Sequence, residues 1–329
     1  MHNLTLRYFY FTNLFFFSLI NSQGFDICIN QSSFVSIAKD NVVVDAEPGM
    51  AHEVWHFNLT SKSKIQIPTT FYDRDSDVLL VAAPALPAPK EAMKAFAKTF
   101  PYYDVITFDY RWSGQYEQYL ATSILARNPI QRVLFDPIKE LETVVHYATK
   151  RKHYKKVVGL GECYSCFHFA KLQSDAIEKY GFGPFTHLVL DSCWYSLRDF
   201  AERICYDPLL PINPQNGGAP KVIRWLTDSS PFKYIILGLA FCFMSNVSIK
   251  HYISSVGIPI LFVHGKNDLF VPGKHFDKIW NSANKNNRAV FLTPFKHSDN
   301  LGAKKLYRYV AEQFVASQSM YEFQEKVLK

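Results

Sequence analysis

The stretch Lys155-Lys156-Val157-Val158-Gly159-Leu160-Gly161-Glu162-Cys163-Tyr164-Ser165-Cys166 constrains this chain more than any other. It reads as a short buried strand, a sharp turn and a helix that begins near Tyr164. Cys163 stands at the tip of the turn, with Gly161 two residues before it and Ser165 two after. Small flanking residues matter because such a turn strains the backbone and presses strand and helix together. A chain that makes this turn presents one side chain, here a thiol, at a helix N-terminus. That is the geometry of a nucleophile elbow, with cysteine where serine is usual.

The rest of the chain supplies strands and helices in alternation. Residues 78–83 form a continuous apolar run, as expected of a central parallel strand buried on both faces. A Pro-rich turn, 84–89, breaks it, and 90–100 has helical periodicity. Further strands are expected at 104–108, 156–160, 187–190, 258–263 and 289–292. Helices are expected from Asp136-Pro137, with Asp136 as cap, from Tyr164 to about Tyr180, near 274–282, and from about Leu301 with Asp299 as cap. This alternation predicts an α/β chain with a mostly parallel sheet flanked by helices. Its core spans 77–191 and 257–329, after a β-rich lead-in over 23–76. Regularity lapses over 192–256, which reads as an inserted lid containing an apolar stretch at 234–244.

Three reactive residues fall in the order nucleophile, acid, histidine. Cys163 is on the elbow. Asp268 follows a buried strand in Val263-His264-Gly265-Lys266-Asn267-Asp268. His297 follows the last strand in Pro294-Phe295-Lys296-His297. Strand by strand, this order resembles that of the α/β-hydrolase fold. The loop Asp109-Tyr110-Arg111-Trp112-Ser113-Gly114 resembles the D-x-R-G-x-G loop of lidded serine-aminopeptidase-like and monoacylglycerol-lipase-like members, with Trp112 replacing a glycine. Cysteine at the elbow also resembles the dienelactone hydrolases and polyhydroxyalkanoate synthases. Their G-x-C-x-G pattern is matched in part, because Ser165 replaces the final glycine.

The resemblance implies a covalent mechanism. The thiolate of Cys163 attacks, His297 takes and returns the proton, and Asp268 orients the imidazole. An oxyanion would be held by the backbone N–H of Tyr164 and by one from the turn after the first parallel strand. Pro84 and Pro87 have no N–H, which leaves Ala85, Leu86 or Ala88; Leu86 is the expected donor beside Tyr164. Asp191, at the end of the preceding strand, is the alternative acid. His168, His264 and His275 read as packing or surface residues. Glu162 beside the nucleophile would either oppose thiolate formation or contact substrate. Cys163 and Cys166 also form a C-x-x-C pair, and a disulfide between them would switch a thiol nucleophile off.

Such a set needs no cofactor, and no four-ligand zinc spacing appears among the six cysteines. A net charge of +7 from scattered lysines and arginines points away from a nucleic-acid partner, while peripheral contact with an anionic membrane surface stays open. The segment 1–22, with His2 and Arg7 before an aromatic apolar run, reads as a secretory signal cleaved after Ser22; an apolar strand is the other reading. A signal would place the protein outside the cytoplasm. Three functions remain at this point. They are hydrolysis of an ester or thioester of lipophilic acyl type, acyl transfer through the same intermediate, and ligand binding by a catalytically degenerate hydrolase fold.

Overall fold

The computed structural model describes residues 38–44, 53–61, 65–85, 88–111, 135–196, 198–199 and 247–328. The expected signal segment, Leu86, Trp112, the apolar stretch 234–244 and Cys28, Cys205 and Cys242 lie outside them.

Nine strands form one sheet in the order β1-β2-β3-β5-β4-β6-β7-β8-β9. The strands are β1 (Ala38–Val44), β2 (Glu53–Thr60), β3 (Gln66–Asp73), β4 (Val78–Ala83), β5 (Asp104–Phe108), β6 (Lys156–Glu162), β7 (His187–Asp191), β8 (Ile260–Gly265) and β9 (Arg288–Thr293). From β5 to β9 every neighbouring pair is parallel, and the first three strands join as an antiparallel meander on β5. The helices are α1 (Lys94–Thr99), α2 (Asp136–Arg151), α3 (Tyr164–Tyr180), α4 (Lys250–Ile253), α5 (Gly273–Ser282), α6 (Lys304–Ala316) and α7 (Met320–Leu328).

The unbroken apolar run of β4 has the cause expected of it, because both faces of the sheet are covered. Leu79, Val81 and Ala83 pack in a core with Leu141 and Val144 of α2 and with Phe167 and Phe169 of α3. Leu80 and Ala82 point the other way, into a second core with Phe96 of α1 and with Tyr307, Val310 and Phe314 of α6. The parallel strands therefore all end on the same edge, where connecting loops can converge without breaking either core.

In the lead-in, β2 and β3 pair over eight residues each, from Glu53↔Asp73 to Thr60↔Gln66. The buried residues of β2, Val54, Phe57 and Leu59, break strict alternation. Three local expectations are corrected. Asp136 is not the cap of α2; Phe135 holds that place, and the Asp136 carboxylate accepts from Arg111 Nη1 at 3.0 Å. Asp299 stands before a 3₁₀ turn, Asn300–Ala303, and makes no side-chain cap bond. The single last helix is two, because Ser319 Oγ accepts the Glu322 N–H and the Glu322 carboxylate accepts the Gln318 N–H, so α7 has its own start.

The two ends of the expected lid, as far as they are described, meet. Ser196 and Ser248 form an antiparallel bridge, and the Ile249 N–H donates to the Tyr195 carbonyl at 3.0 Å.

Candidate active site

β6 ends at Glu162 and α3 begins at Tyr164, so Cys163 alone makes the turn. Its φ of 51° and ψ of −104° lie in a region that non-glycine residues rarely occupy. Two contacts hold the strained residue. Its N–H donates to the Asp191 carbonyl on β7 at 2.8 Å, and the Ser165 hydroxyl donates to the Pro84 carbonyl. The second bond ties the elbow to the loop after β4, and it is what the serine in place of glycine does here. Gly161 is needed for space: a Cβ there would lie 2.9 Å from the Cys166 backbone N and 2.9 Å from the Phe169 ring.

Asp268 and His297 come from adjoining loops after β8 and β9. The loops are stitched together by Lys266 N–H to Thr293 O at 2.7 Å, Asn267 N–H to Phe295 O at 3.2 Å and Asn267 Nδ2 to Pro294 O at 2.6 Å. The approach is so close that a Cβ at Gly265 would stand 2.4 Å from the Phe295 carbonyl oxygen. Asp268 Oδ1 accepts the N–H groups of Phe270 and Val271, both at 2.8 Å, and its Oδ2 lies 2.8 Å from His297 Nδ1. That bond sets the tautomer and leaves Nε2 free to face the Cys163 side, whose thiol is close enough to act on the imidazole's charge. Burial opposes a charged imidazole, but thiolate and carboxylate on either side carry its pKa up to about 11.

Asp191 is elsewhere engaged. Its Oδ1 accepts from Ser192 Oγ at 2.9 Å and from Asn300 Nδ2 at 2.5 Å. Burial pushes its carboxyl up to about 6. Ser192 Oγ in turn accepts the Ser298 N–H at 2.9 Å. The residue offered as alternative acid thus braces the loop that carries His297 and makes no hydrogen bond to the imidazole itself. Ser192, Asn300 and Ser298 were not singled out from sequence. Positive φ at Ser192 and Ser298, 54° and 55°, has no sequence signature in a serine.

Tyr164 opens α3, where first-turn N–H groups point out of the helix toward the elbow. On the facing loop the Ala88 N–H donates to the Ala85 carbonyl at 2.7 Å, so it is engaged in its own turn. Glu162 is buried at 8% exposure. Burial, and the Asp191 carboxyl opposite, push its pKa up to about 7 against the pull of His297. Cys163, Cys166 and Cys193 are free thiols. Cys166 turns inward beneath the elbow, 3.2 Å from the Gly161 carbonyl and 3.3 Å from that of Asp191. His168, His264 and His275 are buried; His168 bonds the Tyr110 hydroxyl at 3.1 Å and His264 stacks on Phe276.

The described part of the Asp109-Tyr110-Arg111 loop is anchored from both ends. Asp109 Oδ1 accepts the Lys90 N–H at 2.6 Å, and Arg111 pairs with fully buried Glu140. Among the described residues no group of three or more His, Cys, Asp or Glu could hold a metal ion, and no helix is long and apolar enough to cross a membrane.

Sheet order, elbow and the two loops after β8 and β9 define an α/β-hydrolase fold. Solved structures with this arrangement include an esterase of Pyrococcus furiosus, 15% identical with a TM-score of 0.57, over 84% of this chain and 98% of that one. An esterase of Exiguobacterium antarcticum is 13% identical with a TM-score of 0.54, over 79% and 99%. An acylaminoacyl peptidase of Pyrococcus horikoshii is 12% identical with a TM-score of 0.55, over 84% of this chain and 44% of the peptidase. At such identities the likeness is one of fold. No protein-family model matches the sequence, and no curated protein matches it.

Proposed function

We propose that the protein hydrolyses an ester or thioester through Cys163, His297 and Asp268. The observation that carries this reading is His297 held between the Asp268 carboxylate at 2.8 Å and the Cys163 thiol. A structural cysteine has no need of a strained φ, a helix N-terminus and an oriented imidazole together. The thiolate adds to the acyl carbon; the oxyanion is met by the Tyr164 N–H and a donor from the loop after β4. The imidazolium then protonates the leaving group, and a thioester to Cys163 remains. Water, deprotonated by neutral His297, attacks that thioester and frees the acid.

A lipophilic acyl substrate is supported by the apolar stretch 234–244 and by Phe270, whose ring centroid lies 5.0 Å from that of His297. A location outside the cytoplasm rests on residues 1–22 alone, and N-terminal sequencing of protein recovered from its native source tests it.

The deciding assay compares wild type, Cys163→Ala and Cys163→Ser on a chain-length series of nitrophenyl esters and acyl thioesters. Turnover that vanishes in the alanine variant supports the reading. A stable acyl adduct without turnover supports transfer to an acceptor. Folded wild type with neither turnover nor adduct sinks it in favour of a binding protein.

A further inference from the structure

Outside the triad, one cavity is built from charged and hydroxyl side chains. Its volume is about 380 Å³, within the range of about 300–1,000 Å³ usual for small-molecule sites, and no triad residue lines it. It lies where the two ends of the expected lid meet, against α5. Its floor is fixed by hydrogen bonds. Ser196 Oγ donates to Asp199 Oδ2 at 2.6 Å and accepts the Asp199 N–H at 3.0 Å. Ser248 Oγ donates to the Tyr195 carbonyl at 2.9 Å and accepts the Lys250 N–H at 3.3 Å. Both serines are buried. Charge on the walls is lopsided. Arg198, Lys250 and Lys278 are cationic, His251 offers ring nitrogens, and among the described residues that line the cavity Asp199 is the one carboxylate. That carboxylate is spent: Lys278 Nζ donates to its Oδ1 at 2.8 Å and also lies over the Tyr195 ring, 5.3 Å from the centroid. Among the described residues no carboxylate pairs with Lys250 or His251. A cation would meet net positive charge here, and an apolar ligand would strand these groups away from water. The complement is an anion with several acceptor oxygens.

We propose that this cavity binds the phosphate or diphosphate group of a small phosphorylated ligand. Arg198 and Lys250 supply the charge and His251 a ring N–H, while Lys278, held by Asp199, closes one wall. A guanidinium grips phosphate through paired N–H bonds, and an ammonium holds it as a point charge. Trp194, next to the lining residue Tyr195, stacks on Phe167 of α3 at 5.6 Å, and Tyr252 of α4 meets the same ring at 5.5 Å. The walls of the cavity therefore rest on the helix that begins at the elbow. Two sources share this ligand chemistry. The phosphate belongs to the thiol half of the acyl substrate, as in a coenzyme A thioester, or to a separate ligand held at the base of the lid.

The experiment titrates inorganic pyrophosphate into the full chain by calorimetry at low salt. It compares wild type, Lys250→Ala, Arg198→Ala and, as a control, Lys285→Ala, an exposed lysine that does not line the cavity. Wild type is expected to bind saturably. Lys250→Ala and Arg198→Ala should each weaken binding by roughly tenfold, and Lys285→Ala should leave it unchanged. No saturable binding by wild type overturns the site. So does an equal loss in Lys285→Ala, which is the mark of net charge alone, or no loss in either cavity variant. Hydrolysis then tells the two sources apart, and this arm alone rests on the thioester reading of Cys163. Hexanoyl coenzyme A is compared with hexanoyl-N-acetylcysteamine, a thioester of the same acyl chain without phosphate. If Lys250→Ala raises KM roughly tenfold for the coenzyme A thioester alone, the phosphate belongs to the substrate. If pyrophosphate binds and both KM values stay as in wild type, it belongs to a separate ligand. Wild type that turns over neither thioester counts against the reading of Cys163, while the calorimetry still decides the cavity.

Discussion

His297 Nδ1 sits 2.8 Å from Asp268 Oδ2, while the other oxygen of the same carboxylate is locked by two backbone N–H groups. Asn at position 268 could keep Oδ1 as acceptor for Phe270 and Val271. Its amide would then face Nδ1 as a donor and force the proton onto Nε2, the atom needed as base. Asp268→Asn is therefore expected to fold normally and to lower kcat/KM for acyl transfer by roughly 10³–10⁴-fold. Steady-state kinetics beside a thermal melt checks both halves.

Asp191→Asn should behave differently. The carboxylate accepts from Ser192 and Asn300 and is bonded to the imidazole by neither oxygen, and the bond to the Cys163 N–H comes from its backbone carbonyl. The expected loss in kcat/KM is under about tenfold, through a loosened His297 loop. A loss as deep as that of Asp268→Asn would reassign the acid.

How much of this was open to reading from the chain follows from what each element asks of sequence. The elbow needs small residues at fixed offsets, and β4 to β8 are buried on both faces; both demands leave marks in composition. α3 was expected from Tyr164 to Tyr180 and spans those residues. The meander was harder to see, because β2 buries Val54, Phe57 and Leu59 out of step with a period of two. Bracing of the site was hardest. Ser192, Ser298 and Asn300 are ordinary polar residues whose importance comes from meeting across more than a hundred positions. Asp136 does not cap α2 because Arg111, distant in sequence, competes for its carboxylate.

Gly161→Ala tests the elbow itself. The new Cβ would press on the Cys166 backbone N and the Ser165 carbonyl carbon, at 2.9 and 3.0 Å, and backbone cannot rotate away as a side-chain tip can. The expected cost is about 1–3 kcal/mol in denaturant unfolding. The loss of acylation should be larger than that instability explains, since the shift falls on the residue next but one to the thiol. A variant as stable and active as wild type would refute the close-packed turn.

Arg111 and Glu140 make a buried pair, with the Arg111 N–H also donating to Glu140 Oε2 at 3.1 Å. Burial pushes the Glu140 carboxyl up, and Arg111 holds it down only in part. Arg111→Met would strand a carboxyl with no exposure to water. The predicted destabilisation is about 3–5 kcal/mol, and Arg111→Met with Glu140→Leu together should recover much of it. Unfolding curves for the two variants separate a real pair from a passive contact.

With its pKa raised to about 11, the His297 imidazole keeps a proton throughout the neutral range and stands as a cation beside the Cys163 thiol. Removing the imidazole in His297→Gln takes that cationic neighbour away, and a cation beside a thiol favours its thiolate. Alkylation by iodoacetamide should then fall by roughly 10²-fold near pH 6 relative to wild type. The sign of the pH dependence is fixed by the same pair: as pH rises toward 9 the variant's own thiolate accumulates and the gap closes. Above about pH 11 the imidazolium is lost and no longer distinguishes the two proteins. Equal alkylation rates near pH 6 would mean that the thiol and the imidazole, though adjacent, do not share a proton.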